Sequence, residues 1–258
     1  MTPVSSRIRA FLWHLSASAT LAVLALSLVF WIWYPAPLHK AMGVTDIFLL
    51  LLAVDVILGP CLTLAVAKPG KKRHLLLLDL TVIITVQIAA FLYGLNAVAA
   101  GRPAWVVLSE GQFNVISPVE IDQRYPDLAD QIAQEYRQPP LTGPQWISAP
   151  QPEDTDVATG IQTEISLALA SLSGFEIYHQ PKYYRPLQEG FSIIQENAQP
   201  LDNLKKFNPE ADVQEKLAAY PDADAFLPLK GKVRSMTVLL KKSENRIIAT
   251  VDLRPWME

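Results

Sequence analysis

The sequence predicts an α+β protein in which three N-terminal transmembrane helices carry an α+β domain that begins and ends in a β-hairpin. Three observations lead there. No Asp, Glu, Lys or Arg lies between Arg9 and Lys40, only Asp46 and Asp55 lie between Lys40 and Lys68, and only Asp79 lies between Arg73 and Arg102. Residues 101–258 carry instead fifteen Lys/Arg and 22 Asp/Glu, the charge density of a water-soluble chain. Within that second part, short alternating apolar runs bounded by turn residues mark strand pairs.

Each charge-poor run is long enough to cross a hydrocarbon core, which takes about 20 apolar residues at about 1.5 Å of helical rise each. The spans fall at about 11–34, 46–67 and 75–98. Arg7 and Arg9 in front of the first run resemble the basic end of a secretory signal. A signal's apolar region is only about 7 to 15 residues, however. This run is longer and ends in Trp31, Trp33 and Tyr34, side chains suited to a membrane interface, so it reads as an uncleaved anchor.

Cations set the orientation. Arg7 and Arg9 precede span one, and Lys68, Lys71, Lys72 and Arg73 follow span two, whereas the loop between spans one and two holds only Lys40. Because basic loops stay inside, the N-terminus is placed in the cytoplasm and residues 101–258 in the periplasm, with the spans in a bacterial inner membrane. Two domains are expected: a membrane domain, 1–100, and a periplasmic domain, 101–258. Membrane lipid is the first partner this implies.

Charge divides at the same point. Residues 1–100 carry seven Lys/Arg against three Asp/Glu, while the second part is acidic. An acidic domain does not attract nucleic acid or anionic lipid by its field, and no nucleic-acid partner is expected. The single cysteine, Cys61, lies in span two as a small packing residue, so the outer domain rests on its apolar core without an intrachain disulfide.

In the outer domain, Ala104–Leu108 and Phe113–Ile116 flank Ser109-Glu-Gly111 as a first hairpin. A helix is expected over Asp127–Arg137, where Leu128, Ile132 and Tyr136 recur at helical spacing. The proline-rich stretch Pro139–Pro152 is expected to be a surface loop holding Trp146. Ile161, Ile165, Ala168, Leu169 and Leu172 mark a helix within Asp154–Leu172, and shorter helices follow at Leu187–Gln195 and Glu210–Tyr220. Asn208-Pro209-Glu210 offers the last of these an N-cap, a proline in the first turn and an acid at the positive dipole end. Met236, Val238 and Leu240, then Ile247, Ala249, Val251 and Leu253, alternate as a closing hairpin before Pro255-Trp256.

Chemistry-bearing motifs are missing. His14, His39, His74 and His179 are scattered over both sides of the expected membrane, and no metal-ligand, nucleophile-elbow or nucleotide-loop spacing occurs. No catalytic residue, cofactor or metal is expected. What remains is polar residues inside the spans, which are costly enough to be functional candidates by default.

Asp55 and Asp79 do not form a matched acid pair. Asp55 lies 13 residues from Lys68, about 20 Å deep, whereas Asp79 lies five residues from His74, about 8 Å deep. Gln87 lies 13 residues from His74 and so at the depth of Asp55, which predicts a bond from a protonated Asp55 carboxyl to Gln87. The rival reading is that Asp55 or Asp79 receives a polar group from a partner's membrane helix. Pro60, which removes a donor to the Val56 carbonyl, adds a kink to span two.

Several landmarks then resemble a known family. They are Trp33-Tyr34-Pro35; Asp55, Leu58-Gly59-Pro60 and Leu62-Thr63-Leu64; Asp79-Leu80, Gln87 and Tyr93-Gly94. Further along stand Arg102-Pro103, Phe113, Leu227-Pro228-Leu229, Met236 with Val238-Leu239-Leu240, and Pro255-Trp256. Together they resemble the TfpX/TfpZ type IV pilin accessory proteins, densest from Val29 to Arg102 and thin from Pro139 to Pro209. The resemblance implies a non-enzymatic helper that assists its cognate type IV major pilin toward assembly or surface display. It implies Asp55, Pro60, Asp79 and Gln87 as candidates for pilin-helix contact or for packing between spans. A membrane-bound periplasmic sensor working with a separate output partner is the alternative; a membrane enzyme ranks last for want of a nucleophile, a metal cluster or a matched acid pair.

Overall fold

Three helices long and apolar enough to cross a membrane dominate the N-terminal part of the chain: Arg7–Trp33, Val44–Val66 and Arg73–Ala100. The computed structural model describes residues 3–68, 71–121, 132–151 and 176–256, together with 165, 168, 171, 172 and 174. Helix α1 runs Pro3–Ser27 and continues as π-helix through Leu28–Trp33. It is followed by the short α2 (Leu38–Met42), then α3 (Val44–Val66) and α4 (Arg73–Ala100). Leu50, Ile57, Leu78 and Val86 stand more than half exposed on these helices, an apolar surface that suits lipid. Cys61 is exposed as well, rather than packed between helices.

Contacts group the chain into two compact units. The first combines residues up to Ile32 with Gly43–Ala100. Within it α3 is central and packs on both α1 and α4. Two contacts tighten the arrangement: the Phe30 and Phe48 rings meet edge-on at 5.9 Å, and Leu51 packs on Gly94, where a larger residue would collide with it.

The second unit joins Trp33–Met42 to the residues from Gly101 on. Its eight-stranded mixed sheet comprises β1 (Trp105–Ser109), β2 (Gln112–Ile116), β3 (Gln145–Ser148), β4 (Arg185–Pro186), β5 (Gln199–Pro200), β6 (Ala225–Lys230), β7 (Met236–Lys241) and β8 (Arg246–Val251). The order is β4-β3-β1-β2-β6-β7-β8, with β5 also paired to β6. β1/β3 and β2/β6 are parallel and the other pairs antiparallel. The helices α5 (Phe191–Asn197) and α6 (Glu210–Ala218) complete this unit among the described residues.

Both predicted hairpins are present. β1 and β2 turn through Glu110 (φ 52°) and Gly111 (φ 78°), and two consecutive positive φ angles match the right-handed twist of the flanking strands. Apolar side chains fill both faces of the sheet. Trp105, Val107, Ile116, Tyr136, Ile147, Tyr178 and Tyr184 form one core; Leu204, Val213, Phe226, Leu239, Val251 and Leu253 form another, covered by Leu217 of α6. Tyr184 is fully buried and its hydroxyl donates to the Tyr178 carbonyl at 2.8 Å, while burial, helped by the charge of Glu120, holds it neutral well beyond the usual tyrosine range.

Four expectations change. The Pro139–Pro152 stretch is not all loop: Gln145–Ser148 is β3, parallel to β1, and Trp146 packs edge-on against Phe113 at 5.1 Å. The helix expected at Leu187–Gln195 divides into a 3-10 turn, Leu187–Gly190, and α5. Asn208 does not cap α6, which starts at Glu210 behind Pro209; its side chain donates to the Leu204 and Arg254 carbonyls and accepts from the Arg254 N–H. Strand β6, in the middle of the sheet, has no counterpart in the sequence reading. Pro228 interrupts its pattern, yet on one edge of β6 it falls between the β5 pairing at Ala225–Phe226 and the β2 pairing at Leu229–Lys230 and faces no ladder partner, while on the other edge it stands opposite Thr237 of β7.

Of the helix expected at Asp127–Arg137, residues 127–131 lie outside the described residues, and Gln134–Tyr136 forms a 3-10 turn. Most of Asp154–Leu172 also lies outside them; Ile165, Ala168, Ser171 and Leu172 are helical.

Candidate functional site

Two of the intramembrane polar candidates, Asp55 and Gln87, meet between α3 and α4. Gln87, near the middle of α4, donates from Nε2 to the main-chain carbonyl of Asp55 at 3.1 Å. This differs from the carboxyl-to-amide bond expected, and Gly59 supplies the reason. It lies one turn beyond Asp55 on α3 and has no side chain; a Cβ there would overlap the Gln87 amide. The amide therefore sits against the α3 backbone and bonds the carbonyl it meets. Asp55 Oδ2 and Gln87 Oε1 are buried with no hydrogen-bond partner among the described residues.

Pro60 is buried beside Gly59, and α3 continues through it from Val44 to Val66. Its missing N–H is absorbed within one unbroken helix. Asp79 stands apart from this group: near the start of α4 it is ion-paired with Lys71. Thus Asp55 and Gln87 meet at the α3–α4 seam, Pro60 follows Gly59 within the same helix, and Asp79 does not join them.

Two further contacts escaped the sequence reading. His14 Nδ1 and Thr63 Oγ1 share a 2.6 Å hydrogen bond between α1 and α3, and the Arg7 guanidinium donates to the Leu64 carbonyl at 2.9 Å. The sequence marks His14 only as one of four scattered histidines. Its spacing to any other histidine carries no signal for a bond to a threonine 49 residues away. Among the described residues no group of three or more His, Cys, Asp or Glu could hold a metal ion.

A cavity of about 450 Å³ opens beside these polar groups, with walls from α1, α3 and α4. Asp55, Gln87, His14 and Thr63 all line it, amid Leu, Ile, Ala and Phe side chains.

In the second unit, Trp33–Met42 is fastened to the sheet. The Ala41 carbonyl accepts from the Val233 and Arg234 N–H groups at 2.9 and 3.3 Å. Lys40 and Arg234 both engage the Asp252 carboxylate, at 3.0 and 3.2 Å. Burial opposes ionisation of Asp252, but these two cations outweigh it and hold the carboxyl below its usual range. Trp33 Nε1 donates to the Leu141 carbonyl at 3.1 Å, and Arg102 donates to the Pro140 carbonyl at 3.0 Å. Tyr34 is buried in this unit; burial raises its pKa, and the nearby Arg102 charge opposes the rise.

Residues 2–43 match the family described as fimbrial assembly protein FimB. The chain is 30% identical over 246 residues to the fimbrial assembly protein of Dichelobacter nodosus serogroup I, an alignment covering 92% of this chain and 91% of that protein. It is 27% identical over 252 residues to the serogroup E1 protein of the same organism, with the same coverage. The protein of serogroups C1 and C2 is 35% identical over 108 residues, 42% of this chain and 82% of that protein. No solved structure matches the chain. Similarity that runs through the spans and the sheet alike leads to one conclusion: this chain belongs to the fimbrial assembly protein family.

Proposed function

We propose that this protein is a non-enzymatic accessory protein of the bacterial inner membrane that assists a type IV pilin toward assembly or surface display. The observation that carries the reading is similarity to fimbrial assembly proteins along 92% of the chain, in a molecule with three helices able to cross a membrane. The TfpX/TfpZ resemblance points the same way. In this reading the N-terminus is cytoplasmic and the sheet unit periplasmic. The fastening of Trp33–Met42 to the sheet supports that arrangement, because it requires the first interhelical loop and the sheet to lie on one side of the bilayer.

A pilin awaiting assembly has an apolar helix and a water-soluble head, and this protein offers a counterpart to each. The spans around Asp55 hold the helix, and the sheet unit meets the head. Deletion of the chain, followed by measurement of surface pili and total pilin, tests the proposal. Few or no surface pili on the deletion strain, restored by the intact chain, is the expected result. Normal piliation would overturn it.

A further inference from the structure

Asp55 and Asp79 are in opposite electrostatic states. Asp79 has its cation, Lys71. Asp55 has no ion pair among the described residues: it lines the cavity half-buried, and one carboxyl oxygen is buried without a hydrogen bond. A carboxyl facing an apolar space within lipid is costly until a donor reaches it.

The cavity's shape says what could bring that donor. Its α1 wall runs from Ala10 to Ala22, about 18 Å at 1.5 Å per residue, along the direction of the spans. Between the larger Trp13 and Leu21 that wall is lowered by Ala17 and Ser18, so another backbone can approach closely there. α1 and α4 each pack on α3 but scarcely on one another, which leaves the trough floored by α3. A body lying along such a trough in hydrocarbon must satisfy its own peptide groups, which restricts a polypeptide occupant to an α-helix. An acyl chain fills the same volume but offers Asp55 no donor.

We infer that this trough seats one apolar transmembrane helix of a partner subunit, which carries a hydroxyl, amide or amine donor to Asp55. Resting on the function proposed above, the inference identifies that partner as the fimbrial subunit and assigns its helix to the α1–α4 trough, away from Asp79.

The test uses the full chain in living cells, with the photo-crosslinker p-benzoylphenylalanine at Ile84, inside the trough, or at Val86, which is exposed away from it. Adducts are identified by mass spectrometry. The Ile84 probe is expected to capture the apolar helix of the fimbrial subunit, and the Val86 probe is not. Asp55→Leu should lower the adduct about fivefold, the effect of one interhelical hydrogen bond, while Asp55→Asn, which keeps an acceptor, should retain it. If Asp55→Leu fails to accumulate, Ala17→Phe, which fills the trough without touching the carboxyl, decides: loss of the adduct upholds the inference and its persistence overturns it. Adducts from Ile84 with lipid alone, adducts with a second copy of this chain, or equal capture of the subunit from Val86 would each overturn it. Such a failure leaves the pilus count of the deletion strain untouched, so the seat and the function fall separately.

Discussion

Gln87 reaches the backbone of Asp55 across a gap that Gly59 keeps open: Nε2 to carbonyl oxygen is 3.1 Å, and a Cβ on Gly59 would occupy the same space as the amide. The glycine is thus defined by what crosses it rather than by its own backbone angles. Gly59→Ala should destabilise the α3–α4 pair by about 1–3 kcal/mol through overpacking. Gln87→Ala alone should cost about 0.6 kcal/mol, the usual worth of one interhelical bond in a membrane. The double variant should be more stable than the sum of the two, because removing the amide removes the clash. Thermal unfolding of the four proteins in one detergent measures that coupling; strict additivity would mean Gly59 and Gln87 are independent.

The Asp252 carboxylate ties the loop residue Lys40 to Arg234 of the sheet unit. Its folded pKa is depressed, so its contribution to stability is fully present above the ordinary carboxylate range, near pH 4, and is lost as pH falls through the folded value. Both cations are about half exposed, which limits the pair to roughly 0.5–1 kcal/mol. Asp252→Asn should lower the unfolding temperature at pH 7 and by less at pH 3, where the lower pH draws the wild-type carboxyl toward its neutral form. A variant equally destabilised at both values would show that packing, not charge, holds the loop.

Opposite behaviour is expected at alkaline pH from the aromatic core. Burial, reinforced by the Glu135 hydrogen bond and charge, pushes Tyr136 up to about 12, and burial with the charges of Glu176 and Glu110 pushes Tyr178 to the same value. A tyrosine raised in the folded state stabilises below its unfolded pKa near 10, and that stability drains away as pH rises toward 12. Phenolate absorbance at 295 nm should therefore show a late step that coincides with loss of tertiary structure. Tyr178→Phe should shrink that step. Early ionisation of every tyrosine, with the fold intact, would place these hydroxyls in water.

Where the sequence was readable, period and length carried the information. The spans announced themselves by the absence of charge, and the two hairpins by alternation around Ser109-Glu-Gly111 and Lys241–Asn245. β6 hid because Pro228 breaks a strand pattern unless the neighbouring ladders happen to leave a gap at that residue, which is a property of β2 and β5 rather than of β6. β3 hid among prolines for a similar reason: its pairing with β1 is long-range and parallel. Depth counting put Asp55 and Gln87 at one level, but the choice of carbonyl over carboxyl depended on the empty space at Gly59. His14 and Thr63 show the limit most plainly, since nothing in either segment names the other.

The fastened loop makes orientation testable at single residues. Ala36 lies exposed within Trp33–Met42, and Lys72 lies exposed between α3 and α4. Those two connections leave opposite ends of α3, so they must be on opposite sides of the membrane if α3 crosses it. With Cys61 replaced by Ser, a cysteine at Ala36 should react with a membrane-impermeant maleimide in cells whose outer membrane has been made permeable. A cysteine at Lys72 should react only after the inner membrane is broken, because the proposed orientation keeps the basic connection at 68–73 inside. Alkaline phosphatase fused behind Arg102 should be active for the same reason that Ala36 is reachable: Trp33–Met42 and the sheet form one unit. Labelling of Lys72 in unbroken cells, with Ala36 protected, would invert the molecule and put the sheet beyond reach of any periplasmic pilin head.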